Sequence, residues 1–396
     1  MRMKEVIIAD YLRTPFSRSR PKEPEKDKFN HFRMDEMLSR LVKTIVERNK
    51  INQEEIGDLI VGCALGVGEN WTYAGRLISV LAGLSVHVPS IQMDRQCGSS
   101  LSAVQIGTME IQTGNSDIVI AGGMEHLTHV PMQDNPHFIP NLSVLKQKEY
   151  DMQTGFVMGQ TAERLAVAER KFTREEMDQF SLESHQKAAK AIKEGYFKDE
   201  LMPIEVKEAD GSTEVVDHDL SVRPDTTIDQ LRQLPPVFKP KTGLITAGNS
   251  SPLNAGASAV LLMSREKADE YGIKPMAAVK SMGWAGVEPY IMGKGNVPAS
   301  QKALRQAGLK ASDIDFWEIN EAFAVVVLYA MDKLKIDPKK VNVKGGAVAI
   351  GHPLGATGAR LVGTTARMLR AQKAQYGLAT ACCGGGQGAA VILERE

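Results

Sequence analysis

Asp117-Ile118-Val119-Ile120-Ala121-Gly122-Gly123 and, about 260 residues later, Leu378-Ala379-Thr380-Ala381-Cys382-Cys383-Gly384 are two β-like runs of small residues that close on glycine. They fall opposite each other when the sequence is slid along itself. The same offset sets Glu55-Ile56-Gly57-Asp58-Leu59-Ile60, behind a helix-like stretch ending near Lys50, against Ser312-Asp313-Ile314-Asp315-Phe316-Trp317, behind one ending at Gly308. Chance likeness is the alternative, because the identity is low and glycine-rich strand ends are common. The repeat predicts two similar α/β halves in one chain.

Outward from these runs, further β-like segments at residues 5–9, 58–63, 316–320 and 389–394 alternate with helical patterns such as 34–50 and 300–308. Each such helix would cover one face of a sheet. The stretch 124–244 breaks the rhythm with Pro131, Pro136, Pro140 and long polar runs. Within it Thr173 and Glu176 form a capping box that starts a helix, and Gly195 supplies its stop. This is the pattern of a long insertion with a small helical subdomain, and insertions of that size usually serve binding.

At 396 residues, 43% of them hydrophobic and 24% charged, the chain has room for two or three well-filled cores. Its formal net charge is zero, so no basic field invites nucleic acid and no polybasic tract invites anionic lipid. No stretch approaches the length of a membrane span, and the apolar run near the N-terminus is too short for a signal-peptide core. Four cysteines, two of them adjacent, do not make a disulfide framework in a chain this long. A reducing compartment, the cytoplasm, is expected.

The chemistry concentrates in four glycine-framed motifs. Cys97, in Gln96-Cys97-Gly98-Ser99-Ser100, stands just before a helix-like run at 101–112, where the dipole and free N–H groups are expected to lower its pKa and favour thiolate. A lone Cys-Gly-Ser is as readily a buried, inert core residue. His352, in Gly351-His352-Pro353-Leu354-Gly355-Ala356-Thr357-Gly358, sits at a second loop-to-helix junction, with Pro353 suited to a first helical position. There it can take a thiol proton, unless it is merely structural. Cys382 enters Gly384-Gly385-Gly386-Gln387-Gly388, a turn able to aim backbone N–H groups at an oxyanion. Phosphate is the competing ligand for such a turn, but no Lys-Ser/Thr or helix follows it. Asn320 and Glu321 follow a β-like run; an amide there can hold a water, and a turn-forming Asn is the alternative. His126 and His129 form His-x-x-His, with no third metal ligand at a sensible spacing. No metal is expected.

These motifs in this order, with Arg13-Thr14-Pro15, Ala121-Gly122-Gly123-Met124-Glu125, Met158-Gly159-Gln160-Thr161-Ala162-Glu163 and Thr246-Ala247-Gly248-Asn249-Ser250-Ser251, resemble the thiolase family over essentially the whole chain. The resemblance implies an α/β fold of two similar βαβαβαββ halves in an α-β-α-β-α sandwich. It divides the chain into an N-terminal half, 1–122 plus 245–275, a coenzyme A-binding loop domain, 123–244, and a C-terminal half, 276–396. It implies Cys97 as the acylated nucleophile, His352 as its base and an oxyanion donor, and Cys382 as the acid/base at the α-carbon of the acetyl unit. Asn320 would hold a water that forms one oxyanion hole with His352, while the N–H groups of Cys97 and Gly384 would form the other. Coenzyme A contacts would fall to Met158, Arg223, Phe238, Ala247, Ser251 and Phe323, with Met292 lining the acyl pocket.

Val157 occupies the position where acetoacetyl-specific biosynthetic members of that family carry a histidine. The expectation is therefore a degradative 3-ketoacyl-CoA thiolase of fatty-acid β-oxidation, taking coenzyme A thioesters, with coenzyme A as substrate and no tightly bound cofactor. Acetoacetyl-CoA synthesis from two acetyl-CoA is the alternative, and a non-catalytic coenzyme A-binding or assembly subunit a remoter one. A decarboxylating condensing enzyme would carry a second histidine where Cys382 stands. A homodimer or homotetramer is implied, with a β-oxidation enzyme as a docking partner. Cys383 is unusual at its position; the spacing to the glycine turn selects Cys382 as the working thiol.

Overall fold

The computed structural model describes residues 3–169, 171–208 and 210–396, so the first two residues of the expected N-terminal half lie outside the described residues. Chain order begins with β1 (Val6–Arg13), α1 (Met34–Arg48), β2 (Ile56–Gly62), α2 (Arg76–Leu81), β3 (Ser90–Met93), α3 (Ser99–Thr113) and β4 (Ile118–His126). The excursion that follows holds α4 (Met158–Glu169), α5 (Arg174–Lys193) and a hairpin of β5 (Ile204–Lys207) and β6 (Thr213–Val216). The chain then returns to the sheet as β7 (Asn254–Ser264). The remainder comprises β8 (Ala277–Gly286), α6 (Asn296–Ala307), β9 (Phe316–Ile319), α7 (Ala324–Leu334), α8 (Leu354–Gln372), β10 (Tyr376–Cys383) and β11 (Gln387–Glu394).

Strand order is β3-β2-β4-β7-β1 in the first half and β9-β10-β11-β8 in the second. In the first, β2 runs parallel to β3 and β4, while β7 is antiparallel to β4 and β1. In the second, β9 is parallel to β10, and β11 is antiparallel to β10 and β8. A parallel bridge from Trp317 to Val341 stands where the third strand of the second half would be. Both halves therefore run βαβαβαββ, with that third strand reduced to a bridge. They meet where Ile7 and Ile8 of β1 pair with Ala278 and Ala277 of β8.

Side-chain alternation along the strands divides the interior into layers. Leu59, Val61, Ile120 and Leu261 pack outward with Leu38, Leu41 and Ile45 of α1. Ile60, Val119 and Leu262 face inward with Leu101 and Val104 of α3 and Leu361 and Val362 of α8. In the second half Leu378 and Ile392 face outward toward Val326 and Ala330 of α7, and Ala379 and Val391 face the same central layer. The result is the α-β-α-β-α sandwich that the family resemblance implies.

The two central helices touch at their first turns because glycine permits it. A Cβ on Gly358 would overlap the backbone of Leu101, and one on Gly62 the backbone of Ser100. In the excursion the Thr173 N–H donates to Glu176 Oε2 at 2.7 Å and the Glu176 N–H to Thr173 Oγ1 at 3.2 Å, so the capping box forms. Such a cap contributes about 1 kcal/mol. Gly195 follows α5 with φ +69°, the left-handed stop that its sequence position predicts. Among the described residues no helix is long and apolar enough to cross a membrane.

Candidate active site

Cys97 lies in a tight turn, Gln96–Gly98, immediately before α3, and Gln96 holds φ +49°. A non-glycine residue there is strained by about 1–2 kcal/mol. The Gln96 N–H donating to Asp94 Oδ1 and the Arg95 N–H donating to Ser99 Oγ at 2.9 Å fix the turn. The thiol is 5% exposed, and burial pushes its pKa up to about 12, although the N–H groups of Gly384 and of Cys97 itself point at the sulfur and oppose the rise. The expectation of a lowered pKa is thus corrected: a helix start acts on a thiol at the surface, but here loss of water outweighs it. The proton must leave during the reaction.

The imidazole of His352 lies in the loop before α8. Its Nδ1 lies 2.6 Å from Thr357 Oγ1, whose hydroxyl donates to the Pro353 carbonyl at 2.8 Å. That hydroxyl can only accept from the ring, so Nδ1 carries the proton and Nε2 presents its lone pair. The His352 N–H donates to Asn254 Oδ1 at 2.8 Å, anchoring the loop to β7. Burial, helped by the Arg360 charge, lowers the imidazole pKa to about 3, so the ring is a neutral base. Pro353 is the cap of α8 rather than its first helical residue.

Asn320, just past β9, donates from Nδ2 to His352 Nε2 at 3.2 Å. Its Oδ1 is buried without a partner among the described residues, a polar atom suited to hold a water against the imidazole. Glu321 turns away from the thiols: it accepts from Ser184 Oγ and Asn342 Nδ2, both at 2.7 Å, and from the Val348 N–H at 3.0 Å, tying α5 to the loop before α8.

Cys382 and Cys383 are adjacent on β10, so they face opposite sides of the strand. Cys382 shares the outward layer with Met292, Ala322 and Phe323, against which Met158 and Phe238 also pack. Cys383 faces the central layer: a Cβ on Gly98 would lie 2.5 Å from its sulfur. Burial raises the pKa of both thiols, and the neighbouring Cys97 raises each further. The β10–β11 turn holds Gly385 at φ +76° and Gly386 at φ +81°, which leaves the Gly384 N–H aimed at Cys97. All four cysteines are free and buried.

Of the remaining expected residues, Met158 opens α4 with its sulfur 3.4 Å from where a Cβ on Gly384 would stand, and Phe238 packs edge-on to Phe323 with ring centres 6.3 Å apart. Ser251 donates its N–H and hydroxyl to the Ala322 carbonyl at 3.0 and 3.2 Å, and Ala247 is exposed beside it in sequence. Met292 is buried. Arg223 is exposed and lines a cavity of about 500 Å³ with Pro224, Thr226, Gln230 and Leu231. The catalytic candidates do not line it.

Two participants carried no signal of their own in the sequence. Thr357 sets the tautomer of His352; its place five residues on, in the first turn of α8, was the available clue. Glu125 is buried at the meeting of the halves, accepting from the N–H groups of Ala64, Leu65 and Gly355 at 2.9, 3.2 and 3.0 Å and from Asn70 Nδ2 at 2.9 Å. Burial raises its pKa to about 7 against those bonds.

The His-x-x-His pair does acquire a third neighbour, Glu69, whose Oε1 lies 2.7 Å from His129 Nδ1. The two rings are stacked with centres 3.7 Å apart and planes 10° from parallel. One ion cannot lie in both ring planes, as nitrogen ligation requires, so this arrangement is a hydrogen-bonded stack rather than a chelate.

With the geometry in place, comparison with known proteins is informative. Residues 6–266 match the model of the thiolase N-terminal domain and residues 273–395 that of the thiolase C-terminal domain. A 3-ketoacyl-CoA thiolase from Vibrio vulnificus is 44% identical over 397 residues, covering 99% of this chain and 100% of its own length. One from Marinobacter nauticus is 41% identical over 396 residues, covering 99% and 98%. The crystal structure of human mitochondrial 3-ketoacyl-CoA thiolase superposes with a TM-score of 0.89 at 34% identity over 99% of both chains, and its complex with CoA with 0.88.

Proposed function

The chain belongs to the thiolase family, and from that premise we propose that it is a 3-ketoacyl-CoA thiolase, an acyltransferase that cleaves 3-ketoacyl-CoA with coenzyme A to acetyl-CoA and an acyl-CoA shortened by that unit. The observation that carries the reading is the set of one thiol at a helix start, a neutral imidazole whose Nε2 is unprotonated, and a second thiol on the face shared with Met292 and Phe323.

The steps follow from those groups. His352 Nε2 takes the Cys97 proton as sulfur attacks the 3-keto carbon, and the oxyanion forms against the N–H groups of Cys97 and Gly384. Its collapse breaks the C2–C3 bond, leaves the acyl group on Cys97, and releases the enolate of acetyl-CoA. The enolate oxygen lies against the Nε2–H of His352 and the water held by Asn320, and its α-carbon takes the Cys382 proton. Coenzyme A then attacks the thioester; its thiol proton goes to Cys382, and the departing Cys97 thiolate regains the proton held by His352. Two thiols suit two separate tasks, acyl carriage and carbon acid/base work.

Residues 123–244 act as the coenzyme A-binding loop domain: Met158 and Phe238 bound the pantetheine end with Ala247, Ser251 and Phe323, Met292 lines the acyl pocket, and Arg223 holds the nucleotide end at the 500 Å³ cavity. A homodimer or homotetramer is supported by the free edge strand β3 with the apolar surface around it, where Trp71 is 56% exposed, Tyr73 63% and Val80 64%. The place of action is the cytoplasm, beside other enzymes of fatty-acid β-oxidation.

Val157, in the turn before α4, favours longer acyl groups over acetoacetyl-CoA. Thiolysis of acetoacetyl-CoA beside a 3-ketoacyl-CoA of about ten carbons, followed by loss of enolate absorbance, tests this. Faster cleavage of the longer substrate is expected; a strong preference for acetoacetyl-CoA would assign the short-chain reaction, and cleavage of neither would refute thiolysis.

A further inference from the structure

Two residues outside the reacting set hold a charge pair at the centre of the molecule. Arg360, on α8, and Glu318, on β9, are 1% and 0% exposed, and Arg360 Nη1 donates to Glu318 Oε2 at 2.7 Å. Glu318 lies two residues before Asn320 on the strand that presents it. Arg360 lies three residues after Thr357, and so on the same side of α8 as the hydroxyl that orients His352. A single bond thus spans the two elements whose ends must bring Asn320 Nδ2 and His352 Nε2 to 3.2 Å.

As a stabilising device the pair is poor. Among the described residues Glu318 Oε1, Arg360 Nε and Arg360 Nη2 are buried without a partner. Burying two charges is costly, and one hydrogen bond between them offsets that badly compared with a hydrophobic pair of similar volume. What the pair does supply is directional: a short charge-assisted bond has one favoured length and angle, whereas apolar contacts between a strand and a helix tolerate sliding. We infer that Glu318 and Arg360 are positioning residues that fix the register of β9 against α8, and hence the distance between Asn320 and His352 in the oxyanion site. The inference rests on the thiolase reading for the role of that site.

Steady-state thiolysis by the full-length protein tests it with two variants. Arg360→Lys keeps the charge but has neither the reach nor the planar fork of arginine. The double variant Glu318→Leu/Arg360→Met removes both charges and preserves bulk. For each, kcat is expected to fall about 10- to 100-fold, the scale of an ångström-sized misplacement, with KM for coenzyme A within about twofold and, for the double variant, a Tm within about 4 °C of the parent. Unchanged kcat in a folded variant, or a rise in KM alone, would overturn the inference; should the double variant not fold, Arg360→Lys decides. Alkylation of Cys97 by iodoacetamide at neutral pH, where the thiol holds its proton, draws on His352 as base and needs no coenzyme A, so it separates the two readings. If the parent protein lacks thiolysis, the reaction assignment has failed, and the positioning role then stands if alkylation slows in the variants and falls if it does not.

Discussion

The two halves share one plan, and at the site an equivalent strand of each half faces the start of the other half's central helix. In the N-terminal half the contact is midway along β4, at Gly122-Gly123: a Cβ on Gly123 would overlap the carbonyl of Gly355, at the start of α8. In the C-terminal half the corresponding residues are Cys383-Gly384, at the end of β10: the Cys383 sulfur packs on Gly98 and the Gly384 N–H points at Cys97, both at the start of α3. One crossing is backbone against backbone with no room for a side chain. The other is opened just enough to admit thiols and an N–H donor. The repeat builds a scaffold in which two helix starts converge, and where Gly122-Gly123 closes one crossing the other carries Cys383-Gly384.

The most severe break of that asymmetry is Cys97→Ser. Serine is the poorer nucleophile for this exchange, and the neutral His352 cannot make it an alkoxide, so thiolysis should fall by at least about 10⁴-fold. No acyl adduct should be seen by intact-protein mass spectrometry. Retention of full activity would show that the second copy's thiol, and not the first's, carries the acyl group.

The next largest effect is in pH dependence. Burial moves the Cys97 thiol from an ordinary value of 9.0 up to about 12, and His352 down to about 3. Both shifts disfavour the charged forms, so the pair rests as neutral thiol and neutral imidazole between those limits. The rate of Cys97 alkylation should keep climbing with pH beyond about 10, where an unburied thiol has largely ionised. A plateau by about pH 8 would mean a standing thiolate–imidazolium pair and would return the site to what its helix-start position alone predicts.

The third effect tests the closed crossing. Gly123→Ala must displace backbone at Gly355 and Gly62 and should destabilise the fold by about 3 kcal/mol, measured by denaturant unfolding. Gly98→Ala at the open crossing meets a side chain that can rotate, and should cost about 1 kcal/mol. Equal costs would mean that the two crossings are equally tight.

Much of this was legible in the sequence because periodicity and glycine spacing report local physics. The capping box at Thr173 and Glu176, the stop at Gly195 and the four site motifs need only their neighbours to be recognised. β7 gave no alternation to read. Asn254–Ser264 is buried along its whole length, so both faces are shielded from water and period two vanishes. The partners of His352 were hidden for a different reason: Asn254 acts through a tertiary contact, which no local pattern marks, and the five-residue spacing to Thr357 does not by itself signal a hydrogen bond. The thiol pKa was misjudged because the sequence shows the helix start but not the depth at which it lies. Nor could spacing alone show which way two adjacent cysteines point, a question that the pleat of β10 answers.

That pleat makes the smallest effect the sharpest comparison. Cys383 faces Gly98 in the central layer, on the side of β10 away from Met292 and Phe323. If sulfur there only fills space, Cys383→Ala should remove a buried atom, cost about 1 kcal/mol, and leave kcat within about threefold. In the Gly98→Ala background the same change should cost less, because the Cβ added at Gly98 would occupy volume that the sulfur vacates. A coupling of about 0.5–1 kcal/mol between the two sites in a double-mutant cycle would express that contact. Loss of α-proton exchange in acetyl-CoA on Cys383→Ala, with exchange surviving in Cys382→Ala, would reverse the assignment of the two thiols and place the acid/base on the central side of the strand.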